Sequence, residues 1–352
     1  MSNIAILNDI HWGKAADATF MLDYQERFFK HVFIPYVLKH KIKDVYILGD
    51  LFDKRKVINI NTLYRAKEMF FEVLKNYNVT IHILPGNHDC SFKNTNKINS
   101  LTTTLKEYEN VKIYETPMVV DVDNSISFIP WINGENSQAV FDFLSKTDSK
   151  VLCGHLELSG FDMYRGIPQR HGMDVAPFKK FDKVLTGHYH LKSSKDNIHY
   201  LGAQFQFTWA DCGETKYFHV YDPKTETLEQ VENPETLYER IYYDDSLSDY
   251  ADFDASLYKD KIVELVVIKK GNPKIFDSVL EKMQQITTVD FKVKEAAERI
   301  VIDDVDTETI KSKTTKELIE MYIDDIELDV DKDRMKSIIS GLYVEAMNEG
   351  MV

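Results

Sequence analysis

Cysteine is scarce in this 352-residue chain, and long apolar runs are missing. The three cysteines, Cys90, Cys153 and Cys212, form no CxxC pair, which excludes a disulfide framework and a cysteine zinc site. No stretch approaches the roughly 18 uninterrupted apolar residues that a membrane span needs. The best run, Ile262 to Ile268, is broken by Glu264. Met1-Ser2-Asn3 lacks the basic lead of a signal peptide, and Asp9 interrupts the early apolar run. Neither an internal repeat nor a low-complexity tract is present. Apolar residues at 43% and aromatics at 12% suffice for a core, so wholesale disorder is excluded. The chain reads as soluble, intracellular and cytoplasmic, with length for about two domains and a small appendage.

Excess positive charge is also lacking. A net charge of −14 seems to argue against a nucleic-acid partner, but its distribution matters more than its sum. Residues 232–254 hold eight acids against one base, and residues 301–352 fourteen against six. Residues 1–231 are nearly balanced, with 27 bases and 28 acids. Acidity belongs to the end of the chain and does not veto phosphate chemistry in the first two thirds.

The first 200 or so residues alternate short β-branched runs with helical patterns, the signature of an α/β layered fold. Candidate strands are Ile4–Leu7, Val45–Leu48, Ile81–Leu84, Ile126–Ile129, Val151–Cys153 and Val184–Thr186. Tyr24–Lys41 and Thr62–Asn76 carry apolar residues at helical spacing, and Tyr200–Leu201 and Tyr217–Tyr221 read as closing strands. The acidic stretch 232–254 reads as a border. Ile262–Ile268, Pro273–Ile286 and Val289–Val293 then spell strand, helix, strand, a small α+β unit. A second acidic stretch, Asp303–Glu308, precedes a tail with two helical patterns. The expected division is residues 1–235, 236–300 and 301–352.

Five motifs stand at or just after the ends of five of these strands. They are Asp9-Ile10-His11, Gly49-Asp50-Leu51-Phe52-Asp53, Gly86-Asn87-His88-Asp89, Gly154-His155 and Gly187-His188-Tyr189-His190. Open α/β sheets place their sites at strand C-terminal ends, where loops converge on one edge. Glycine lets the backbone turn sharply as it leaves the strand. Each motif delivers Asp, Asn or His to that edge: Asp9, His11, Asp50, Asn87, His155, His188 and His190. Carboxylate, amide oxygen and imidazole, without thiolate, suit manganese or iron, and zinc less exclusively. Seven groups exceed the needs of one ion. They suit two ions sharing a carboxylate, and metals about 3.5–4 Å apart are a recurring phosphoryl-transfer device. Any one motif has a bland explanation, since a Gly-Asp pair is more often a turn and a lone His more often a satisfied polar residue. All five in order, each after a strand, exceed what such explanations cover.

This ordered set resembles the calcineurin-like metallophosphoesterases over about residues 1–220, and within them the SbcD/Mre-eleven nucleases. Asp9-Ile10-His11-Trp12-Gly13, Gly49-Asp50-Leu51-Phe52-Asp53, the short Gly187-His188-Tyr189-His190, Ile129-Pro130-Trp131 and Tyr200-Leu201-Gly202 carry that narrower likeness. The resemblance implies a layered sheet-and-helix core with a small α+β cap and a helical C-terminal tail. It implies that Asp9, His11 and His190 hold one metal, that Asp50 bridges, and that Asn87, His155 and His188 complete the second site. His88 matches the family histidine that faces the scissile phosphate, as charge stabiliser or proton donor. Two divalent ions are implied, with manganese preferred and magnesium an alternative. So are 3′-to-5′ exonuclease action on duplex ends, single-strand endonuclease action, a homodimer and a coiled-coil ABC-type ATPase partner. Archaeal and eukaryotic members often have histidine where this chain has Asp53, whereas bacterial and phage members share the aspartate. Asp53 is either an orienter of a ligand histidine or a local turn anchor.

Outside the motifs, His31, His40, His82, His171, His199 and His219 read as ordinary polar or packed residues. Lys14, Lys54, Arg55, Lys56, Lys93, Lys97, Arg165 and Arg170 flank the motif loops, as a phosphate track or a solvated surface. Residues 255–300 hold nine bases against seven acids. Their Lys269, Lys270 and Lys274 are candidates for DNA contact, with a lysine-rich surface as the alternative. Residues 312–348 suggest two amphipathic helices that either dock on the ATPase or pack back on the cap. Two rival functions stand: a phosphatase or cyclic-nucleotide phosphodiesterase, needing neither cap nor tail, and a non-catalytic scaffold, which should lack ligands that this chain retains.

Overall fold

The computed structural model describes residues 3–295, apart from 122, 165–166 and 170–171, together with 323, 332 and 334–336. Arg165, Arg170, His171 and most of the expected linker and helical tail therefore lie outside the described residues. The chain divides into two compact units, Met1–Glu295 and Ala296–Val352. In the second, the described residues are helical.

Two six-stranded sheets form the centre of the first unit. Ile4–Leu7, Asp44–Leu48, Thr80–Leu84 and Val111–Ile113 run parallel in one, and Lys216–Asp222 and Thr227–Asn233 close it antiparallel. The other has Ile126–Ile129, Val151–His155, Lys183–Gly187 and Ile198–Tyr200 in parallel, with Met118–Asp121 and Ser193–Lys195 antiparallel at its edges. The central parallel strands are rich in buried apolar residues because both of their faces are covered. Ile6, Tyr46 and Leu48 of the first sheet meet Phe128, Cys153 and Leu185 of the second.

Helices cover the outer faces. Thr19–Lys39 and Ile60–Asn76 lay Phe28, Phe29, Phe33, Phe70 and Phe71 on Leu7, Val45 and Ile47. Each of these helices passes through one π turn, at Phe29–Phe33 and at Lys67–Phe71. Ser137–Lys146 places Val140 and Leu144 against the second sheet. The result is a helix–sheet–sheet–helix sandwich with its parallel strands ending along one edge.

The acidic stretch 232–254 is not a plain border. It contains the end of Thr227–Asn233 and the strand Tyr238–Asp244, an edge of a third sheet beside Ile262–Lys269 and Asp290–Glu295. Tyr238, Ile241 and Tyr243 are buried, and counting charge hid this spacing. Asp245 serves a turn, accepting the N–H groups of Gly271 and Asn272 at 2.7 and 2.6 Å. The helix Pro273–Gln284 starts with an Asn272 N-cap and proline in its first turn. It packs Phe276, Val279 and Met283 onto the sheet.

Candidate metal centre

Five strand ends converge on one buried basin. Asp9, His11, Asp50 and His188 all have φ in the left-handed region, at 48°, 51°, 54° and 90°. Such backbone is unfavourable for residues with a Cβ and concentrates at functional sites. The motif glycines work in two ways. Gly49, at φ 87°, turns the chain as it leaves its strand. Gly86 instead makes room, because a Cβ there would lie 2.2 Å from Asp50 Oδ1.

The seven expected donors come together in two groups. In one, Asp9 Oδ1 lies 3.9 Å from both His11 Nε2 and His190 Nε2, which face each other at 3.0 Å. In the other, Asn87 Oδ1 lies 3.0 Å from both His155 Nε2 and His188 Nδ1. Asp50 belongs to both: its Oδ2 is 3.6 Å from His11 Nε2 and 3.4 Å from His155 Nε2. His155 donates from Nδ1 to the Leu48 carbonyl at 2.8 Å, which turns its other nitrogen into the basin.

Burial and neighbouring charge shift these groups in opposite directions. Burial raises the Asp9 carboxyl, with His155 working against it. Burial works against ionised Asp50 too, but His155 and His11 hold it well below the usual carboxylate range. Burial would lower His155, yet the Asp50 carboxylate lifts it to about 9. Burial, then His155, pushes His188 down to about 3. Burial, then His11, keeps His190 well below its ordinary value. His188 and His190 are thus neutral, the form that binds metal, whereas His155 carries a proton that a bound cation would displace. Among the described residues the basic side chains within 4 Å of the Asp9 and Asp50 carboxylates are histidines, not lysine or arginine. Two buried carboxylates among nitrogen and amide donors therefore fit divalent cations.

His88 stands beside the basin. Its ring is edge-on to His11, with centroids 4.9 Å apart, and its backbone N–H donates to Asp50 Oδ1 at 2.8 Å. Its Nδ1 bonds the Asp53 carbonyl, and burial lowers its pKa. Asp53 lies against two of the basic side chains at the basin. Its Oδ1 lies 3.3 Å from His11 Nδ1 and 2.9 Å from Lys14 Nζ. Although burial opposes ionisation, His11 and Lys14 hold it well below the usual range.

Four further residues shape the site without having been given a role in the sequence reading. Asn8 donates to Asp9 Oδ2 at 2.6 Å. Asp89, present in a motif but given no role, gathers the N–H groups of Gly86, Asp50 and Leu51 at 2.8–3.0 Å. Trp131 packs on His188 and Phe207 on both His11 and His190, with centroids 5.2–5.5 Å apart. Trp131 was visible in Ile129-Pro130-Trp131; Phe207 carries no local signal at all. A groove of about 360 Å³ opens beside His188 and His190, lined also by Lys14, Leu191 and Thr208. Of the flanking bases, Lys14, Lys54 and Lys97 pair with Asp53, Asp17 and Glu135. Lys269, Lys270 and Lys274 are exposed on the third-sheet unit. His82 is a satisfied polar residue, bonded to Tyr114 and Asp44.

The fold and the donor set define a metal-dependent phosphoesterase, and the chain belongs to the calcineurin-like phosphoesterase family, whose profile matches residues 2–192. It is 32% identical over 344 residues to exonuclease subunit 1 of Enterobacteria phage T4, covering 97% of this chain and 98% of that protein. Among solved structures it is similar to an archaeal phosphodiesterase, with 12% identity, a TM-score of 0.33, and coverage of 66% of this chain and 99% of that one. A Pseudomonas putida nuclease gives 14% identity, a TM-score of 0.31, and coverage of 65% and 87%. Among the described residues, no helix is long and apolar enough to cross a membrane.

Proposed function

We propose that this chain is the nuclease subunit of a DNA end-processing complex, cutting phosphodiesters at a two-ion centre that prefers manganese and accepts magnesium. The observation that carries this reading is Asp50, within reach of both donor groups. Asp9, His11 and His190 would hold one ion and Asn87, His155 and His188 the other. Bound ions supply Lewis acidity at the phosphoryl oxygen and a water of lowered pKa. His88 donates a proton to the leaving oxygen or stabilises charge on the phosphate. Its Nδ1 is occupied by the Asp53 carbonyl, which leaves Nε2 for the substrate. Asp53 orients His11 from the ring nitrogen that faces away from Asp9 and Asp50.

The similarity to a protein named an exonuclease subunit, over nearly the whole of both chains, supports a nucleic acid as substrate and a partner in a complex. On this reading the chain acts 3′-to-5′ on duplex ends and as an endonuclease on single strands. It works as a homodimer with a coiled-coil ABC-type ATPase in recombination and repair, in a host cell's cytoplasm. Residues 1–235 carry the chemistry, 236–300 are a DNA-facing cap, and 301–352 bind the ATPase. Purified protein with manganese, assayed on labelled duplex DNA, a small chromogenic phosphodiester and a phosphopeptide, tests the reading. DNA cleavage is expected. Turnover of the phosphopeptide alone would make the chain a phosphatase, and no turnover of any substrate would make it a scaffold.

A further inference from the structure

His155 is oriented by a hydrogen bond from its Nδ1 to a backbone carbonyl. His11 and His190 have a different neighbour in common. Phe207, only 4% exposed, sets its ring against both, with centroids 5.5 and 5.2 Å away. An aromatic ring held there limits the rotation of the two imidazoles whose Nε2 atoms point into the basin. Phe207 is itself fixed from two sides. Its N–H donates to Asp211 Oδ2 at 2.9 Å, and its carbonyl accepts the Tyr238 hydroxyl at 3.0 Å.

Tyr238 begins the first strand of the third sheet, and the preceding residue in the site wall reinforces that link. Gln206 is fully buried, and its Oε1 accepts the N–H groups of both Leu237 and Tyr238, at 2.8 and 2.9 Å. Its own N–H donates to the Tyr24 hydroxyl at 3.1 Å. Two consecutive residues thus carry the root of the third-sheet unit on one side and back onto two expected metal ligands on the other.

We propose that Phe207 is a positioning residue for His11 and His190, and that the Tyr238 hydroxyl couples the third-sheet unit to the metal centre through it. This rests on the two-ion reading above and adds that metal affinity responds to the Tyr238 hydroxyl's hydrogen bond to Phe207. Linkage makes the coupling reciprocal: metal binding tightens the Tyr238 anchor by the same factor that the anchor tightens metal binding.

The test titrates manganese into the full chain, following the free ion by electron paramagnetic resonance, with circular dichroism as the check on folding. Groups that orient metal ligands are worth about 10–100-fold in affinity or activity. Phe207→Ala is expected to weaken one ion by about 10-fold or more. Phe207→Leu, which keeps much of the bulk, is expected to recover most of that loss. Tyr238→Phe removes only the hydroxyl and is expected to weaken the same ion by a few-fold. Its cleavage of a small phosphodiester should recover at saturating manganese, with KM unchanged. Arg27→Gln breaks another anchor of the unit's root, the pair with Glu235, without touching Phe207, and is expected to leave affinity unchanged.

Wild-type affinity in a folded Phe207→Ala protein overturns the proposal. So does an Arg27→Gln loss equal to that of Tyr238→Phe, which would mean general loosening. Should Phe207→Ala not fold, Tyr238→Phe against Arg27→Gln decides. A wild-type chain that binds no manganese overturns the two-ion reading and this inference with it. Metal binding with no effect of the variants sinks this inference alone.

Discussion

The Asp89 carboxylate accepts the backbone N–H of Asp50 at 2.8 Å, and through the same oxygen that of Gly86 at 2.9 Å. Its other oxygen takes the Leu51 N–H and the Ser100 hydroxyl, at 3.0 and 3.2 Å. One buried side chain therefore stitches together the two loops that supply Asp50 and Asn87. A hydrogen bond is worth about 0.5–1.5 kcal/mol net, and a buried donor left unpaired costs about 1–3 kcal/mol. Asp89→Ala should destabilise the fold by roughly 3 kcal/mol or more on that basis. Thermal unfolding without added metal checks this; an unchanged midpoint would show that the loops hold without the stitch.

Asp50→Asn and His88→Ala should both abolish useful nuclease activity, by different routes. Losing the shared carboxylate weakens metal binding. Losing His88 spares metal occupancy and lowers turnover by about 10²–10⁴-fold, the range for a lost general acid. Metal analysis of the purified variants beside a DNA cleavage assay separates the two. Full occupancy in Asp50→Asn, or unaffected cleavage in His88→Ala, would reverse the assignments.

His219 provides a pH dependence away from the site. Burial, then Lys192 and His199, pushes its imidazole down to about 3 from the ordinary 6.5. The unfolded chain takes up this proton below about pH 6.5, whereas the folded chain refuses it until about pH 3. The unfolded state thus binds more protons across that window, so stability falls as pH drops through it, and above it the group contributes no slope. Replacing the imidazole in His219→Leu should flatten the loss of melting temperature between about pH 6.5 and 4. An identical acid slope in the variant would remove His219 as its source.

Neutralising Lys269, Lys270 and Lys274 together should weaken duplex binding while sparing a small chromogenic phosphodiester. The Lys270 ammonium lies 4.0 Å from the Phe276 ring centroid, so at this position the change also removes a cation–π contact. Each lost phosphate contact lowers the salt slope of binding by about one. Equal loss on both substrates would indicate misfolding instead of lost DNA contacts.

Deletion of residues 312–352 should abolish capture by the ATPase partner and leave manganese-dependent cleavage of the small ester intact. Undiminished pull-down by the truncated chain would remove the tail from the interface. Loss of cleavage would make it part of the enzyme's core.

Most of the fold was legible in the linear chain. Ile4–Leu7, Ile126–Ile129 and Val151–His155 are buried on both faces and mostly apolar, a pattern that the covered strands of parallel sheets favour. The convergence of the seven expected donors was legible because metal chemistry restricts residue type, and because strand ends, read from those same runs, place them on one edge. Pairing distant positions was beyond local pattern. Asp9 meets the His188 N–H across 179 residues, and only the packed sheets determine that approach. Phe207 was invisible because a phenylalanine after Gln206 looks like any core residue until the chain brings it against His11. Tyr238–Asp244 was hidden because its acids dominated the charge count, while the pairing with Ile262–Lys269 that makes it a strand lies elsewhere in the chain. The Gly86 requirement was misassigned for the same reason. Its glycine answers the closeness of Asp50, a distance set by tertiary packing and not by the turn in which it sits.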